Sequence, residues 1–289
     1  MKQSVGVIGV GLMGHGIAKN IVTKGWSLSY LRHDGNQPTA DLDRAGARGR
    51  DTTAELAAEC DIVILCVTGS PQVEDVLLGS GRLLDAVRAG TLIIDCSTAQ
   101  PDSTVALAAK VAERGARFID AAMTRTPKEA EEGRLNLLVG GDAETLESVR
   151  PLLSAFAENI FHAGGVGTGH QLKLLHNFVS LGSATLIAEA AACAAKGGVS
   201  MDTFVDCLAR GGGNGVALDR MKPYILSRET DQFRFSIGNA HKDIGYYRDM
   251  TSTMHVANAV AEGVFQTLDG LVKSGSGNAL MPEQVDLLK

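Results

Sequence analysis

The chain lacks an excess of positive charge: 27 Lys and Arg stand against 33 Asp and Glu, a formal net charge of −6. Without a basic field to neutralise phosphates, neither a nucleic acid nor an anionic membrane is an expected partner. A leader is also missing from the pattern, since Met1–Lys2–Gln3–Ser4 runs into about six apolar residues, short of the roughly 7–15 of a signal core. Lys and Asp interrupt the hydrophobic segments, so none is expected to reach the ~20 residues of a membrane span, and a cytoplasmic protein is expected. The cysteines Cys60, Cys66, Cys96, Cys193 and Cys207 are odd in number and form no CxxC pair. They read as buried free thiols in apolar runs, with no metal site expected. Aromatic residues are scarce at 4%, but 45% hydrophobic and 21% charged residues exclude a disordered or fibrous chain. Glycine, by contrast, is plentiful at 34 residues, and some must stand where a Cβ would block a tight turn or a close ligand.

A length of 289 residues suggests two domains. In the first half short apolar runs alternate with helical patterns, which argues for βαβ units and a parallel sheet. Strands are expected at Val5–Val10, Leu28–Leu31, Asp61–Val67, Leu92–Cys96, Arg117–Ala121, Leu135–Val139 and Ile160–His162. Helical spacing marks Thr53–Glu59, Pro71–Leu78, Asp102–Arg114 and Ala143–Glu158, several opened by Thr, Pro or Asp. Beyond residue 163 the pattern turns all-helical: a long Ala/Leu-rich helix Gly169–Lys196 stopped by Gly197–Gly198, then Met201–Ala209, Val216–Leu226, Ile237–Met250 and Val256–Lys273. The boundary is expected at Ala163–Gly165, giving domains 1–163 and 164–289.

Gly9–Val10–Gly11–Leu12–Met13–Gly14 follows the first strand and opens the helix Met13–Lys24. In that context the spacing is a dinucleotide fingerprint: the first glycine permits the turn, the second lets pyrophosphate touch backbone, and the third brings helix and sheet together. Phosphate then lies on the positive end of the helix. The second strand leads into Tyr30–Leu31–Arg32–His33–Asp34. A strand ending at Leu31 puts Arg32 and His33 at the ribose and favours NADP; one running two residues further gives Asp34 the ribose diol and favours NAD. The first alternative carries more weight.

The long helix opens Gly167–Thr168–Gly169–His170–Gln171–Leu172–Lys173–Leu174–Leu175–His176–Asn177. Lys173 and Asn177 are four apart and share a helical face, at the domain boundary where a cleft would lie. Burial beside a second cation would bring such a lysine toward a useful acid/base range. On these two residues alone, a snorkelling Lys and a helix-packing Asn would be the favoured reading.

Together these runs resemble the β-hydroxyacid dehydrogenase family, which includes 3-hydroxyisobutyrate dehydrogenases and tartronate semialdehyde and sulfolactaldehyde reductases. The likeness covers nearly the whole chain. It takes in Gly9–Gly14 with Ala18–Lys19–Asn20, Asp95–Cys96–Ser97–Thr98 with Pro101, and Asp120–Ala121–Ala122 with Gly133. It continues through Val139–Gly140–Gly141 and Gly167–Thr168–Gly169 with Lys173 and Asn177 to Lys242–Asp243. The resemblance implies an α/β fold: an N-terminal Rossmann doubly wound sheet, a long interdomain helix and an all-α C-terminal domain, with hydride transfer between a nicotinamide and a carbonyl or hydroxyl carbon. It makes Lys173 the general acid/base and Asn177 the residue orienting substrate and lysine. Ser97 and Thr98 become hydroxyl ligands of substrate and nicotinamide ribose. Val67 and Thr68 match the segment passing the cofactor, Lys242 lies near the nicotinamide, and Asp243 is a structural helix partner.

Departures from the family bear on the substrate. Relatives commonly carry Ser-Gly-Gly where this chain has Thr124–Arg125–Thr126, and an arginine there offers a forked donor set to a carboxylate or sulfonate, as in sulfolactaldehyde reductases. His176 replaces the first of two asparagines and is expected to be a satisfied core histidine. Arg210–Gly211–Gly212–Gly213–Asn214–Gly215 either brings Asn214 to the substrate or is a hinge. The expected protein is an NAD(P)-dependent oxidoreductase of CH–OH groups, reducing a small anionic semialdehyde to a 3-hydroxyacid or running in reverse. Two alternatives share the architecture: an imine reductase, against which Lys173 argues, and a non-catalytic cofactor-binding relative. Small apolar surface at Ala184, Ala188, Ala190, Ala191 and Ala192 suggests a homodimer or homotetramer.

Overall fold

The computed structural model describes residues 3–289; Met1 and Lys2, where the reading of a missing leader begins, lie outside the described residues. The described chain divides into two compact units, one ending at Lys173 and the other starting at Leu174. The first opens with β1 (Ser4–Ile8), α1 (Gly14–Thr23), β2 (Ser27–Leu31), α2 (Ala40–Arg44), β3 (Arg48–Arg50) and α3 (Thr53–Glu59). It continues through β4 (Ile62–Leu65), α4 (Ser70–Leu78), α5 (Leu83–Ala86), β5 (Leu92–Asp95) and α6 (Pro101–Glu113). It ends with β6 (Arg117–Thr124), α7 (Pro127–Glu131), β7 (Leu135–Gly140), α8 (Ala143–Leu153) and β8 (Ala157–Gly164).

One eight-stranded sheet in the order β3-β2-β1-β4-β5-β6-β7-β8 carries this unit. The order reverses between β1 and β4, which is the switch point where doubly wound sheets bind ligands beyond their carboxyl ends. Ile62–Leu65 of β4 and Leu92–Asp95 of β5 are buried throughout, as strands covered on both faces require. Each such aliphatic side chain contributes roughly 1.5–3 kcal/mol. Helix starts follow local chemistry. Thr52 and Glu55 form a reciprocal capping box on α3, and the Asp142 carboxylate accepts the Thr145 amide at 2.8 Å on α8.

Several elements depart from the expected pattern. β3 was not anticipated; Arg48–Gly49–Arg50 is a short edge strand paired in parallel with β2. β7 runs antiparallel to β6, so the sheet is mixed rather than all parallel. The register shows the consequence: Asp95 pairs Asp120, whereas Ala121–Thr124 pair only with β7. β6 and β7 thus form an arm projecting past the parallel strands, and β7 and β8 return the chain at Gly140 and Gly164 to the level of Asp120. α8 stops at Leu153 instead of Glu158, because Ala157 already pairs with Leu135 in β8.

The second unit is helical: α9 (Thr168–Lys196, begun in the first unit), α10 (Met201–Arg210), α11 (Val216–Ser227), α12 (Ile237–Thr253), α13 (Ala259–Leu271) and α14 (Gln284–Leu287). Its core joins Leu181, Ala184, Ala188 and Ala191 of α9 to Met221, Ile237, Ile244 and Leu268. This corrects two expectations. By length and composition α9 could cross a membrane, since no charge falls between Lys173 and Glu189, but these side chains place it in a protein core. And of the five alanines proposed as association surface only Ala190 is exposed; Leu175, Val179 and Leu186 are the exposed apolar residues of α9. All five cysteines are free, but only Cys60 and Cys96 are buried; Cys66 is half-buried, and Cys193 of α9 and Cys207 of α10 are exposed.

Candidate functional site

At the carboxyl edge of the first unit's sheet, Gly9 takes a left-handed φ of +94°, and a Cβ there would lie 2.2 Å from the Cys66 carbonyl oxygen. A Cβ on Gly14 would lie 1.9 Å from the Gly9 carbonyl oxygen, so both positions close the strand-to-helix turn. Gly11 is the opposite case, with open space where its Cβ would be, and Leu12 beside it is 64% exposed. A turn closed behind and open in front, with Met13 preceding the first turn of a ten-residue helix, fits a pyrophosphate on backbone amides. The helix is anchored on its far side: Asn20 Nδ2 donates to the carbonyls of Gly16, Ala130 and Glu131 at 2.8, 3.0 and 3.1 Å, tying α1 to α7.

β2 ends at Leu31, so Arg32 and His33 are the first residues beyond it and Asp34 lies in the turn that follows. That turn is pinned to the fingerprint by Asn36, whose Nδ2 donates to the Leu31 carbonyl at 2.9 Å and whose Oδ1 accepts the Val10 amide at 3.2 Å. The exposed Arg32 guanidinium pairs with Asp51 at 2.9 Å and lies against Gly49 of β3. His33 Nδ1 accepts the Gly35 amide at 2.9 Å.

The turns after β4 and β5 meet: the Val67 amide donates to Ser97 Oγ at 3.1 Å, and the Val67 side chain also borders Gly9. Thr68 is exposed, Thr98 half-buried and Ser97 buried. Asp95 Oδ1 accepts the Ser97 amide at 2.9 Å and so shapes this turn.

Thr124 ends the projecting arm, its hydroxyl accepting Asn136 Nδ2 at 3.1 Å. Arg125 has φ +84°, a left-handed backbone in a non-glycine residue, so the turn keeps a glycine-like geometry although both family glycines are gone. Its guanidinium reaches away along the sheet, pairing with Glu158 and donating to the Arg134 carbonyl. The Thr126 amide donates to Glu129 Oε2 at 3.0 Å in the capping box of α7.

Lys173, 8% exposed, closes the first unit's part of α9, and Asn177 stands one turn along the same helix. Within the second unit, buried Asn177 donates from Nδ2 to Asp243 Oδ2 at 2.6 Å. Asp243 Oδ1 lies 2.7 Å from Lys242 Nζ, and that ammonium also sits 4.9 Å from the Tyr246 ring centre. Asp243 is therefore a structural helix partner, as expected, and the structure adds which residue it fixes, Asn177 of α9. His176 is exposed rather than in the core, its Nδ1 3.0 Å from Asn177 Oδ1. Asn214 is exposed in the turn before α11.

A dinucleotide fold with a closed fingerprint turn and a helix carrying buried Lys and Asn defines a nicotinamide-dependent oxidoreductase. Residues 4–165 match the model for the NAD-binding domain of 6-phosphogluconate dehydrogenase, and residues 167–288 that for the NAD-binding domain of NADP-dependent 3-hydroxyisobutyrate dehydrogenase. The 2-(hydroxymethyl)glutarate dehydrogenase of Eubacterium barkeri is 30% identical over 83% of this chain and 80% of its own length. The 3-sulfolactaldehyde reductase of Escherichia coli K12 is 30% identical over 88% of this chain and 85% of its own. Among solved structures, the 3-hydroxyisobutyrate dehydrogenase of Mycobacterium tuberculosis with L-serine superposes with TM-score 0.88 at 25% identity, covering 100% of both chains. The chain belongs to the β-hydroxyacid dehydrogenase family and is an NAD(P)-dependent oxidoreductase acting on CH–OH groups.

Proposed function

We propose that this enzyme reduces a small semialdehyde bearing a carboxylate or sulfonate to the 3-hydroxyacid, or catalyses the reverse oxidation, with Lys173 as general acid/base. The observation that carries the reading is a buried lysine one helical turn from an amide whose rotamer is fixed by Asp243. In reduction, Lys173 Nζ gives a proton to the substrate carbonyl oxygen as the C=O π pair moves onto that oxygen. Nicotinamide, when bound, supplies the hydride at the carbonyl carbon. Asn177, held by Asp243, orients the reacting oxygen against the ammonium. Ser97 Oγ already accepts the Val67 amide, so its own proton can be donated to the substrate, with Thr98 serving the nicotinamide ribose. Thr124, Arg125 and Thr126 supply the anion-binding turn, with Glu158 competing with the substrate anion for the Arg125 guanidinium, and Asn214 borders the substrate. Gly9, Gly11, Leu12, Met13 and Gly14 hold pyrophosphate, Val67, Thr68 and Lys242 line the nicotinamide half, and Arg32 and His33 receive the 2′-phosphate of NADP. The end of β2 at Leu31 supports NADP over NAD. In this reading the enzyme is a cytoplasmic homodimer or homotetramer, with Leu175, Val179 and Leu186 as the exposed apolar face of α9.

The test is Lys173→Ala, expected to lower kcat by about 10²–10⁴ while dinucleotide affinity is kept. Full turnover by that variant would overturn the assignment. Tartronate semialdehyde, 3-sulfolactaldehyde and glyceraldehyde as a neutral control, each with NADPH and NADH, separate the substrate classes.

A further inference from the structure

The helix that carries Lys173 begins without a cap of its own. α9 starts at Thr168, and the residue before it is Gly167, which has a left-handed φ of +91° and no side chain to accept the free amides of the first turn. Those amides are met from 47 residues away in sequence. Asp120 of β6, fully buried, accepts the Gly167 amide on Oδ1 at 2.7 Å and the His170 amide on Oδ2 at 2.8 Å. Both oxygens of one carboxyl group are thereby committed to one helix start.

The space around that group is closed. Gly140 of β7 is the register partner of Asp120, and a Cβ there would lie 2.7 Å from Asp120 Oδ1 and 2.7 Å from the Gly169 amide nitrogen. A Cβ on Gly169 would lie 2.7 Å from Asp120 Oδ2 and would also press on the Leu138 carbonyl oxygen. The end of β7, the start of α9 and the Asp120 side chain thus converge where no further carbon fits, and the helix cannot move without moving the carboxyl group.

β6 is itself fixed at this level, with Asp120 paired to Asp95 of β5 on one side and to Gly140 on the other. Asp95 in turn accepts the Ser97 amide at 2.9 Å. Two neighbouring strand residues therefore hold two segments of the candidate site, one the Ser97 turn and the other the Lys173 helix. A cap supplied by residue 167 would stabilise the helix wherever it lay, whereas a cap supplied by β6 also fixes it to the sheet. Lys173 is three residues beyond His170, one turn along the same side of α9, so the held amide is close behind it.

We propose that Asp120 is a positioning residue for the proton transfer: it fixes the first turn of α9 to the sheet and so sets where Lys173 stands relative to the Ser97 turn. The inference deepens the acid/base reading of Lys173 and rests on it.

The test follows the full-length enzyme reducing tartronate semialdehyde and 3-sulfolactaldehyde with NADPH, and with NADPH deuterated at the transferred hydrogen. Asp120→Asn keeps the shape but has a single acceptor, so one helix amide then faces an NH₂ group, donor against donor. It is expected to lower kcat by about tenfold to a hundredfold, the cost of a displacement on the order of 1 Å, with the NADPH dissociation constant kept. The isotope effect on kcat should be at least that of the wild type, because the chemical step is the one slowed. Being a ratio, it does not depend on how much of the variant is folded. In a Lys173→Ala background the same substitution should change the residual kcat by less than about twofold, since the group it positions is gone. Should Asp120→Asn not fold, Asp120→Glu, which carries both acceptors one methylene further out, takes its place with the same expectations. Equal losses in the two backgrounds, a smaller isotope effect, or a wild-type kcat would overturn the inference while Lys173→Ala stays impaired. Full turnover by Lys173→Ala would instead remove the acid/base reading beneath it.

Discussion

Replacing Asp243 by alanine tests the second unit's share of the site. The buried carboxylate accepts Asn177 Nδ2 at 2.6 Å and lies 2.7 Å from Lys242 Nζ. A hydrogen bond to a charged acceptor is worth about 1.5–3 kcal/mol net. The Lys242 side chain is 23% exposed and its ammonium can rehydrate, so the ion pair adds no more than about 1 kcal/mol. Asp243→Ala should therefore destabilise the second unit by roughly 1.5–4 kcal/mol. Freed of its partner, the Asn177 amide rotates, and kcat should fall by about tenfold to a hundredfold. Asp243→Asn keeps an acceptor for Asn177 and loses only the charge, so it should recover most of kcat. Urea unfolding followed by far-UV circular dichroism reads the helices of both units, and the fluorescence of Trp26, the single tryptophan, reads the first, so a loss in the circular dichroism transition that Trp26 does not share belongs to the second. A stability loss under about 1 kcal/mol with unchanged kcat would refute the reasoning, for the Asn177 rotamer would then be set elsewhere.

Three further outcomes follow. Arg32→Ala should raise KM for NADPH about tenfold more than for NADH, the low end for a charge-assisted bond at an exposed site; an unchanged ratio would move the 2′-phosphate contact to another residue. Arg125→Ala should raise KM for anionic semialdehydes but not for glyceraldehyde, and Glu158→Gln, which releases the guanidinium, should lower it; equal effects on charged and neutral aldehydes would sink that role. The Ser4 amide and hydroxyl on Asp61 hold its carboxyl below the usual carboxylate range. Its stabilisation is thus complete above the unfolded-state pKa and lost as pH falls through the lower folded value. Asp61→Asn should flatten the acid limb of Trp26-detected melting, and an identical limb would contradict it.

The buried strands and long helices were legible because period and composition encode them: α3 spans the expected Thr53–Glu59, and β5 begins at the expected Leu92. β3 was not, since Arg48–Gly49–Arg50 has no apolar face and exists by pairing with β2. The reversal of β7 was equally hidden, because side-chain alternation is the same in either strand direction. α2 and α7 have five residues each, too few to establish a helical period. Among site residues, the fingerprint was visible because glycine spacing is a local steric requirement. The partners of Arg125 and Asn177 were not, since Glu158 and Asp243 are brought to them by tertiary structure. Cys193 and Cys207 sit in apolar stretches of sequence but on outward helical faces, which run composition does not distinguish.

The antiparallel arm of β6 and β7 gives the enzyme a part that can be lengthened without moving the helix that carries Lys173. Thr124 and Arg125 ride at its tip, whereas Gly140 and Gly164, through which the chain reaches α9, pair at its base beside Asp120. Residues added symmetrically near Thr124 and Asn136 would extend the tip and leave the base in place. Because strand side chains alternate in twos, such growth preserves the arm's inner face only in steps of two residues per strand. In the proposed reading, in which Arg125 meets the substrate's acid group, reach toward substrates of different length becomes a quantised property of the arm.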